Sequence, residues 1–314
     1  MSQRIDRLRA RLVAAEIEAF EHYGVERHSE PLVLADPPLT TRVLRVGQGP
    51  ATVLLHGANM TASVWLPLLP HLPGRSLYLV DLPGCGLSEP FDHTGIDLAA
   101  HQAAFVGSAL DALGLERAAL IGGSLGGMFA LRFALEHPAR VPALAMVTAP
   151  GPALPGARVP VPMALGGHPW VGRLMNAMPA PSSRMTRRML AAITGPDSVR
   201  DGPEAMFDAV GAAMGLAGPS SITLSPEMFR WRTPHPRVTV TDDELAGCRV
   251  PTLLLWGEQD KVQPPAAGAR AADLLPNGRL EVIPGGHGLW FDDPVRCGQI
   301  LSDFLHETAD APGR

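Results

Sequence analysis

The sequence predicts an α/β protein: a mostly parallel central sheet flanked by helices, with a helical segment inserted before the last strands. Three observations lead there. Short apolar runs each end in glycine or a polar turn, and helical patterns separate them. Between Pro150 and His235 the strand signal disappears while Pro, Gly and Met accumulate. Continuous apolar strands alternating with helices imply a parallel sheet buried on both faces.

In chain order, residues 1–23 mix charges with apolar residues at helical spacing and predict an amphipathic helix. Residues 32–35 and 41–46 are expected as short strands either side of the Pro37-Pro38 turn. The apolar runs 52–55, 77–80, 118–121 and 144–147 supply the next strands, with helices over 97–113 and 125–136. Within 150–235 no strand is expected, and helices fall near 171–178, 184–193 and 204–214. Thr241-Asp-Asp-Glu244 has capping-box spacing and starts a short helix. Alternation then resumes with strands at 252–256 and 279–283 and helices at 266–275 and 294–305. The organisation that follows is a core in two parts, 1–149 and 238–314, with a helical cap over 150–237.

Composition narrows the function classes. Of 314 residues, 46% are hydrophobic and 18% charged, which supports a sizeable core rather than disorder. The net charge is −5 and no Lys/Arg-rich face stands out, so nucleic acid is not the expected partner; a small-molecule substrate is. Cys85, Cys248 and Cys297 are odd in number and far apart, fitting neither a disulfide framework nor a zinc site. No leader-like apolar stretch opens the chain, and no run reaches the roughly 20 residues of a membrane span. A cytoplasmic protein is expected, with no membrane span, cofactor or metal.

The segment Ala118-Ala-Leu-Ile-Gly-Gly-Ser-Leu-Gly-Gly127 carries the most chemistry. An apolar strand runs into Gly122-Gly-Ser124-Leu-Gly126 and a helix follows at once, the strand–turn–helix context of a G-x-S-x-G nucleophile. Such a turn lifts the Ser124 hydroxyl above the sheet, and the helix N-terminus favours negative charge beside it. A dinucleotide loop does not fit, because Ser124 stands where the second glycine of G-x-G-x-x-G would be.

A serine hydroxyl needs a base, and the base needs an orienting group. In this architecture they should follow in the order acid, then histidine. The strand at 252–256 opens into Gly257-Glu-Gln-Asp260, and the strand at 279–283 into Pro284-Gly-Gly-His287. His287 is therefore the expected base and Asp260 its partner, with Glu258 as the competing carboxylate. For the oxyanion, one donor is the Leu125 N–H; the second is assigned to the Ala58 N–H in His56-Gly-Ala-Asn-Met60, with Asn59 as the alternative. His56 is expected to brace that loop. Cys85 is expected to be a spectator thiol.

Over residues 30–307 the chain resembles the α/β-hydrolase superfamily. The resemblance rests on His56-Gly57, Asp81-Leu-Pro-Gly-Cys-Gly-Leu-Ser88, Gly122-Gly-Ser-Leu-Gly-Gly127, Gly257-Glu-Gln-Asp260 and Gly285-Gly-His287 in that order. The stretch from Thr241 to Asp260 also looks like the carboxylesterase NP type of bacterial esterase. The resemblance implies a Ser-Asp-His hydrolase with a helical cap and no cofactor. Relatives that open epoxides or remove halides use an aspartate nucleophile, and this chain has Ser124 there.

For the substrate pocket the candidates are Asn59, Trp65, Met163, Trp170, Met175, Met178, Leu289 and Trp290, a mostly apolar set that methionine makes adaptable. The expected reaction is hydrolysis of a carboxylic ester, or related acyl bond, of a fairly hydrophobic small molecule through an acyl-enzyme. Acyl transfer, C–C bond hydrolysis or a non-hydrolytic biosynthetic step on the same triad stays open, and a non-catalytic ligand receptor is the remote alternative.

Overall fold

In a computed structural model, which describes residues 2–194 and 199–309, helix α1 (Ser2–His22) precedes a hairpin of β1 (His28–Ala35) and β2 (Pro38–Val46). Then come β3 (Ala51–Leu55), a 3-10 segment (Ala62–His71), β4 (Ser76–Val80), α2 (Leu98–Ala112), β5 (Ala119–Gly123), α3 (Leu125–Glu136) and β6 (Leu144–Val147). Four helices follow: α4 (Val161–Gly166), α5 (Pro169–Ala177), α6 (Ser183–Thr194) and α7 (Glu204–Met228). A two-residue hairpin, β7 (Phe229–Arg230) and β8 (Thr233–Pro234), leads to α8 (Asp242–Gly247). The chain closes with β9 (Thr252–Gly257), α9 (Pro265–Leu274), β10 (Gly278–Ile283), α10 (Leu289–Asp292) and α11 (Pro294–Thr308).

The main sheet runs β1-β2-β4-β3-β5-β6-β9-β10. Strands β1 and β2 join antiparallel, and every pair from β4 to β10 is parallel, as the apolar runs implied. Side chains alternate across it by the two-residue period of a strand. Leu55, Leu120 and Leu254 pack with Phe105, Phe129 and Phe133 on one face, while Leu54, Ile121 and Leu255 pack with Trp65, Leu301 and Phe304 on the other. No described helix is long and apolar enough to cross a membrane.

Several expectations need correction. Strand β1 starts at His28, four residues early, because its polar first half is exposed yet still pairs with β2. The 3-10 segment carries Pro67 and Pro70, which obscured it in the sequence, although Ala62–Leu69 are all buried. Helix α7 runs past 214 to Met228 through Pro219 and Pro226, because packing on α1, α5 and α6 outweighs the lost donors. Helix α4 was not foreseen, and β7–β8 places a small strand pair where none was expected. The capping box at α8 has both reciprocal bonds: Glu244 N–H to Thr241 Oγ1 at 3.1 Å, and Thr241 N–H to Glu244 Oε2 at 2.6 Å.

Helix α1 joins the two regions. On one side Leu12 and Ala15 pack with Ala209, Ala212 and Ala213 of α7, and Arg11 holds Asp208 through Nε at 3.1 Å and a second nitrogen at 2.7 Å. On the other, Ala19 and Phe20 enter the sheet core, and Glu16 is fully buried.

Candidate active site

Strand β5 ends at Gly123 and α3 begins at Leu125, so Ser124 alone makes the turn, at φ +50° and ψ −113°. A non-glycine residue there is strained, and the surroundings must hold it. They do so by backbone contact. A Cβ on Gly126 would stand 2.0 Å from the Leu55 carbonyl oxygen, and one on Gly122 would stand 2.6 Å from the Gly126 carbonyl oxygen. The Gly126 N–H donates to the His56 carbonyl at 2.9 Å and fastens the turn to the loop after β3.

Two further strand ends open on the same edge. His287 Nδ1 lies 2.9 Å from Asp260 Oδ2, with the carboxylate side chain wholly buried and the imidazole nearly so. Asp260 Oδ1 accepts the Val262 and Gln263 N–H groups at 2.7 and 3.2 Å. Burial pushes the Asp260 carboxyl up, but His287 and those N–H donors outweigh it and hold it below the usual carboxylate range. An ionised Asp260 makes Nδ1 the protonated nitrogen, leaving Nε2 as a proton acceptor. The rival carboxylate Glu258 is exposed and, among the described residues, meets only Gln259 Nε2, at 3.3 Å.

The loops are cross-tied. Gln259 N–H donates to the Gly285 carbonyl, and Gly285 N–H to Gln259 Oε1, both at 2.9 Å. Trp290, three residues beyond His287, packs against the serine turn: a Cβ on Gly123 would lie 3.3 Å from its ring and 3.0 Å from that of Trp65. The loop after β3 closes the other side, where a Cβ on Gly57 would be 3.4 Å from Ser124 Cβ. Ala58, Leu125 and Ser124 line one small cleft. Among the described residues neither the Ala58 nor the Leu125 N–H donates to a backbone carbonyl. Asn59, at φ +61°, points its N–H at the Cys85 thiol.

Beneath that loop lies a polar network that is only partly legible in the sequence. His56 Nε2 accepts the Leu82 N–H at 3.0 Å, so its Nδ1 donates to the Gly57 carbonyl at 2.7 Å. Burial lowers the His56 pKa and keeps the ring neutral, so the 3.7 Å approach to Asp81 is no ion pair. Asp81 accepts Arg42 Nε at 2.8 Å, the Ala62 N–H at 2.7 Å and the Leu87 N–H at 2.9 Å. Arg42 also meets Glu16 of α1 at 2.5 and 3.0 Å. Burial works against the Arg42 charge, but Asp81 and Glu16 more than offset it and raise its pKa. Asp81 opens the Asp81–Ser88 motif, and Glu16 and Arg42 are charges at positions a core face would claim. Cys85 is buried and its thiol is pushed up to about 12, mainly by burial, which leaves it un-ionised.

A cavity of about 640 Å³ adjoins the cleft, sharing Ala58, Met163, Met228 and Phe229 with it. Asn59, Met163, Met175 and Met178 line it. Trp170 does not: it is 72% exposed, with the Arg173 guanidinium 5.3 Å from its ring centre. Trp65, Leu289 and Trp290 are not walls either, because they are buried in the core beneath the site, where the Trp290 indole N–H donates to the Val64 carbonyl at 2.8 Å. The sequence missed Arg4 of α1, which reaches the cavity and donates to the Met178 carbonyl at 2.6 Å. Among the described residues no cluster of three His, Cys, Asp or Glu could hold a metal.

A sequence profile of the alpha/beta hydrolase fold family matches residues 50–294, and the chain belongs to that family. It is 30% identical over 278 residues to a 2-hydroxy-6-oxononadienedioate/2-hydroxy-6-oxononatrienedioate hydrolase of Paraburkholderia phymatum, covering 82% of this chain and 88% of the relative. It is 27% identical to a pimeloyl-[acyl-carrier protein] methyl ester esterase of Aeromonas hydrophila, covering 85% of this chain and all of the relative. The solved naproxen esterase (carboxylesterase NP) of Bacillus subtilis shares the fold, with a TM-score of 0.71, 23% identity, and 94% and 97% of the two chains covered. The protein is an enzyme of the hydrolase class.

Proposed function

We propose that this α/β-hydrolase cleaves a carboxylic ester of a fairly hydrophobic small molecule through an acyl-enzyme. Ser124 attacks the carbonyl carbon while His287 Nε2 takes its proton, and Asp260 steadies the imidazolium that forms. The Ala58 and Leu125 N–H groups receive the oxyanion. His287 then returns the proton to the leaving alcohol, and the acyl-enzyme is released by water that the same imidazole activates. The observation that carries the reading is the His287–Asp260 hydrogen bond on the edge where Ser124 holds its strained turn.

Segment 150–237 acts as the cap over this chemistry and supplies the pocket wall. Its methionines suit an apolar acyl or alcohol portion. Three buried free cysteines accord with a reducing, cytoplasmic setting. A second reading, hydrolysis of a C–C bond on the same residues, draws on the oxononadienedioate hydrolase relatives.

The test is turnover of p-nitrophenyl esters of graded chain length, with Ser124→Ala as control. Release of p-nitrophenol that peaks at a medium or long chain and vanishes in Ser124→Ala is expected. Turnover that survives in Ser124→Ala would overturn the assignment. Inactivity on every ester, with cleavage of a vinylogous 1,5-diketone, would favour the C–C reading.

A further inference from the structure

The helices that wall the cavity also carry an outer surface unlike the rest of the molecule. No residue of α5 is buried, and Trp170 and Leu174, one helical turn apart, are 72% and 67% exposed. Leu165 and Val161 of α4 are 48% and 43% exposed. The β7–β8 hairpin adjoins them. A Cβ on Gly167, between α4 and α5, would touch the Phe229 ring, and the Val159 N–H donates to the Arg232 carbonyl at 3.0 Å. At the hairpin tip Trp231 is 57% exposed. Single exposed apolar residues mean little, but a joined set does.

From residue 137 to residue 196 the charges have one sign. No Asp or Glu occurs there, whereas Arg140, Arg158, Arg173, Arg184, Arg187 and Arg188 do, in a chain of net charge −5. The hairpin repeats the pattern with Arg230-Trp231-Arg232. Arg187 is engaged with backbone carbonyls and the Phe207 ring. Among the described residues the side chains of Arg184, Arg188 and Arg230 make no hydrogen bond or ion pair. Exposed tryptophan and leucine flanked by unpaired arginine, with no acid among them, is the chemistry of a surface that settles into an anionic lipid interface.

We propose that the face formed by α4, α5 and the β7–β8 hairpin docks on anionic lipid, with Trp170, Leu174 and Trp231 entering the headgroup region and the arginines meeting phosphate. The cavity is lined by the inner sides of the same helices through Met163, Met175 and Met178. Docking therefore sets the cavity beside a reservoir of membrane-dissolved apolar compounds, which deepens the esterase reading by naming where its substrate resides. An acidic protein or a second copy of the chain would meet the same face without requiring two exposed tryptophans.

The test is co-sedimentation of the full chain with vesicles of phosphatidylcholine alone and of phosphatidylcholine mixed with phosphatidylglycerol, read alongside tryptophan emission. Binding to the mixed vesicles only, with a blue shift, is expected. Arg173→Gln with Arg230→Gln should weaken it by roughly 30-fold, since each cation at an anionic surface is worth about a factor of five. Trp170→Ser with Leu174→Ser should abolish it, while turnover of a water-soluble ester stays unchanged in both variants. Absence of vesicle binding by the wild-type chain, or equal binding to neutral vesicles, would overturn the proposal. So would a wild-type dimer that Leu174→Ser dissociates, or binding to a soluble polyanion but to no vesicle. Binding is read without any substrate, so a failed esterase assay and a failed docking assay are separate results.

Discussion

The carboxyl edge of the sheet and the helical segment between β6 and α8 face each other across the cavity, yet they are built on opposite principles. At the sheet edge, backbone lies against backbone: Gly122, Gly126 and Gly257 each have a carbonyl oxygen within 2.6 Å of where a Cβ would sit. In the helical segment no residue of α5 is fully buried, and a Cβ at Gly166 would meet open space. On the proposed reading, geometry that holds reacting atoms to fractions of an ångström sits in the first region, and the shape that fits an apolar substrate is left to methionines in the second.

The largest expected effect belongs to the sheet edge. Ser124→Ala should lower ester turnover by about 10⁴-fold or more, with far-UV circular dichroism unchanged. A variant that kept a tenth of the activity would move the chemistry elsewhere.

Next comes the brace beneath the edge. Arg42→Met leaves Glu16 and Asp81 buried without their cation, and removing one partner of a buried pair costs about 3–5 kcal/mol. The pair Arg270–Asp242 is half exposed on both sides, so Arg270→Ala should cost under about 1 kcal/mol. Urea unfolding of the two variants would separate them, and equal losses would refute the contrast.

A third effect tracks pH. His93 and His101 are buried, and burial chiefly lowers each to about 4 from the ordinary 6.5, with mutual repulsion adding to His93. The unfolded chain takes up these protons first, so stability is fully present above pH 6.5 and drains away as pH falls towards 4. The loss should amount to a few kcal/mol, about 3 at most per site. His101→Phe, which keeps the stacking on Phe91, should flatten that slope in thermal melts across the window.

The smallest effect on stability, and the most selective on activity, is expected in the cavity wall. Met178 is 57% exposed, so Met178→Ala should change stability by about 0.5 kcal/mol or less. It should still shift chain-length preference, changing kcat/KM for the longest ester by roughly tenfold. A uniform loss across all chain lengths would mean that Met178 supports the fold rather than the wall.

The same contrast governs what could be read from the sequence. The strands β3 to β6 and β9 announce themselves because a strand buried on both faces is largely apolar, whereas β10, an edge strand carrying Arg279 and Glu281, is legible from its place in the strand–helix alternation. The placement of Ser124, Asp260 and His287 follows because each closes a strand in a glycine-bearing turn. Helix α7 resisted, since Pro219 and Pro226 argue locally against a helix that only α1, α5 and α6 make stable. Trp170 misled for a related reason: an aromatic beside apolar neighbours suggests a wall, and only its packing shows that it faces outward. The Glu16–Arg42–Asp81 network joins three distant segments, and such convergence has no local signature.

The central claim is that Ser124 is a nucleophile activated by His287. Its most direct test is incubation with a fluorophosphonate, proteolysis and mass spectrometry of the adduct in wild type and His287→Gln. One phosphonyl group on the peptide carrying Ser124, formed at least about 10³-fold more slowly in His287→Gln, is the predicted result. An adduct on another residue, or equal labelling rates in the two proteins, would contradict it.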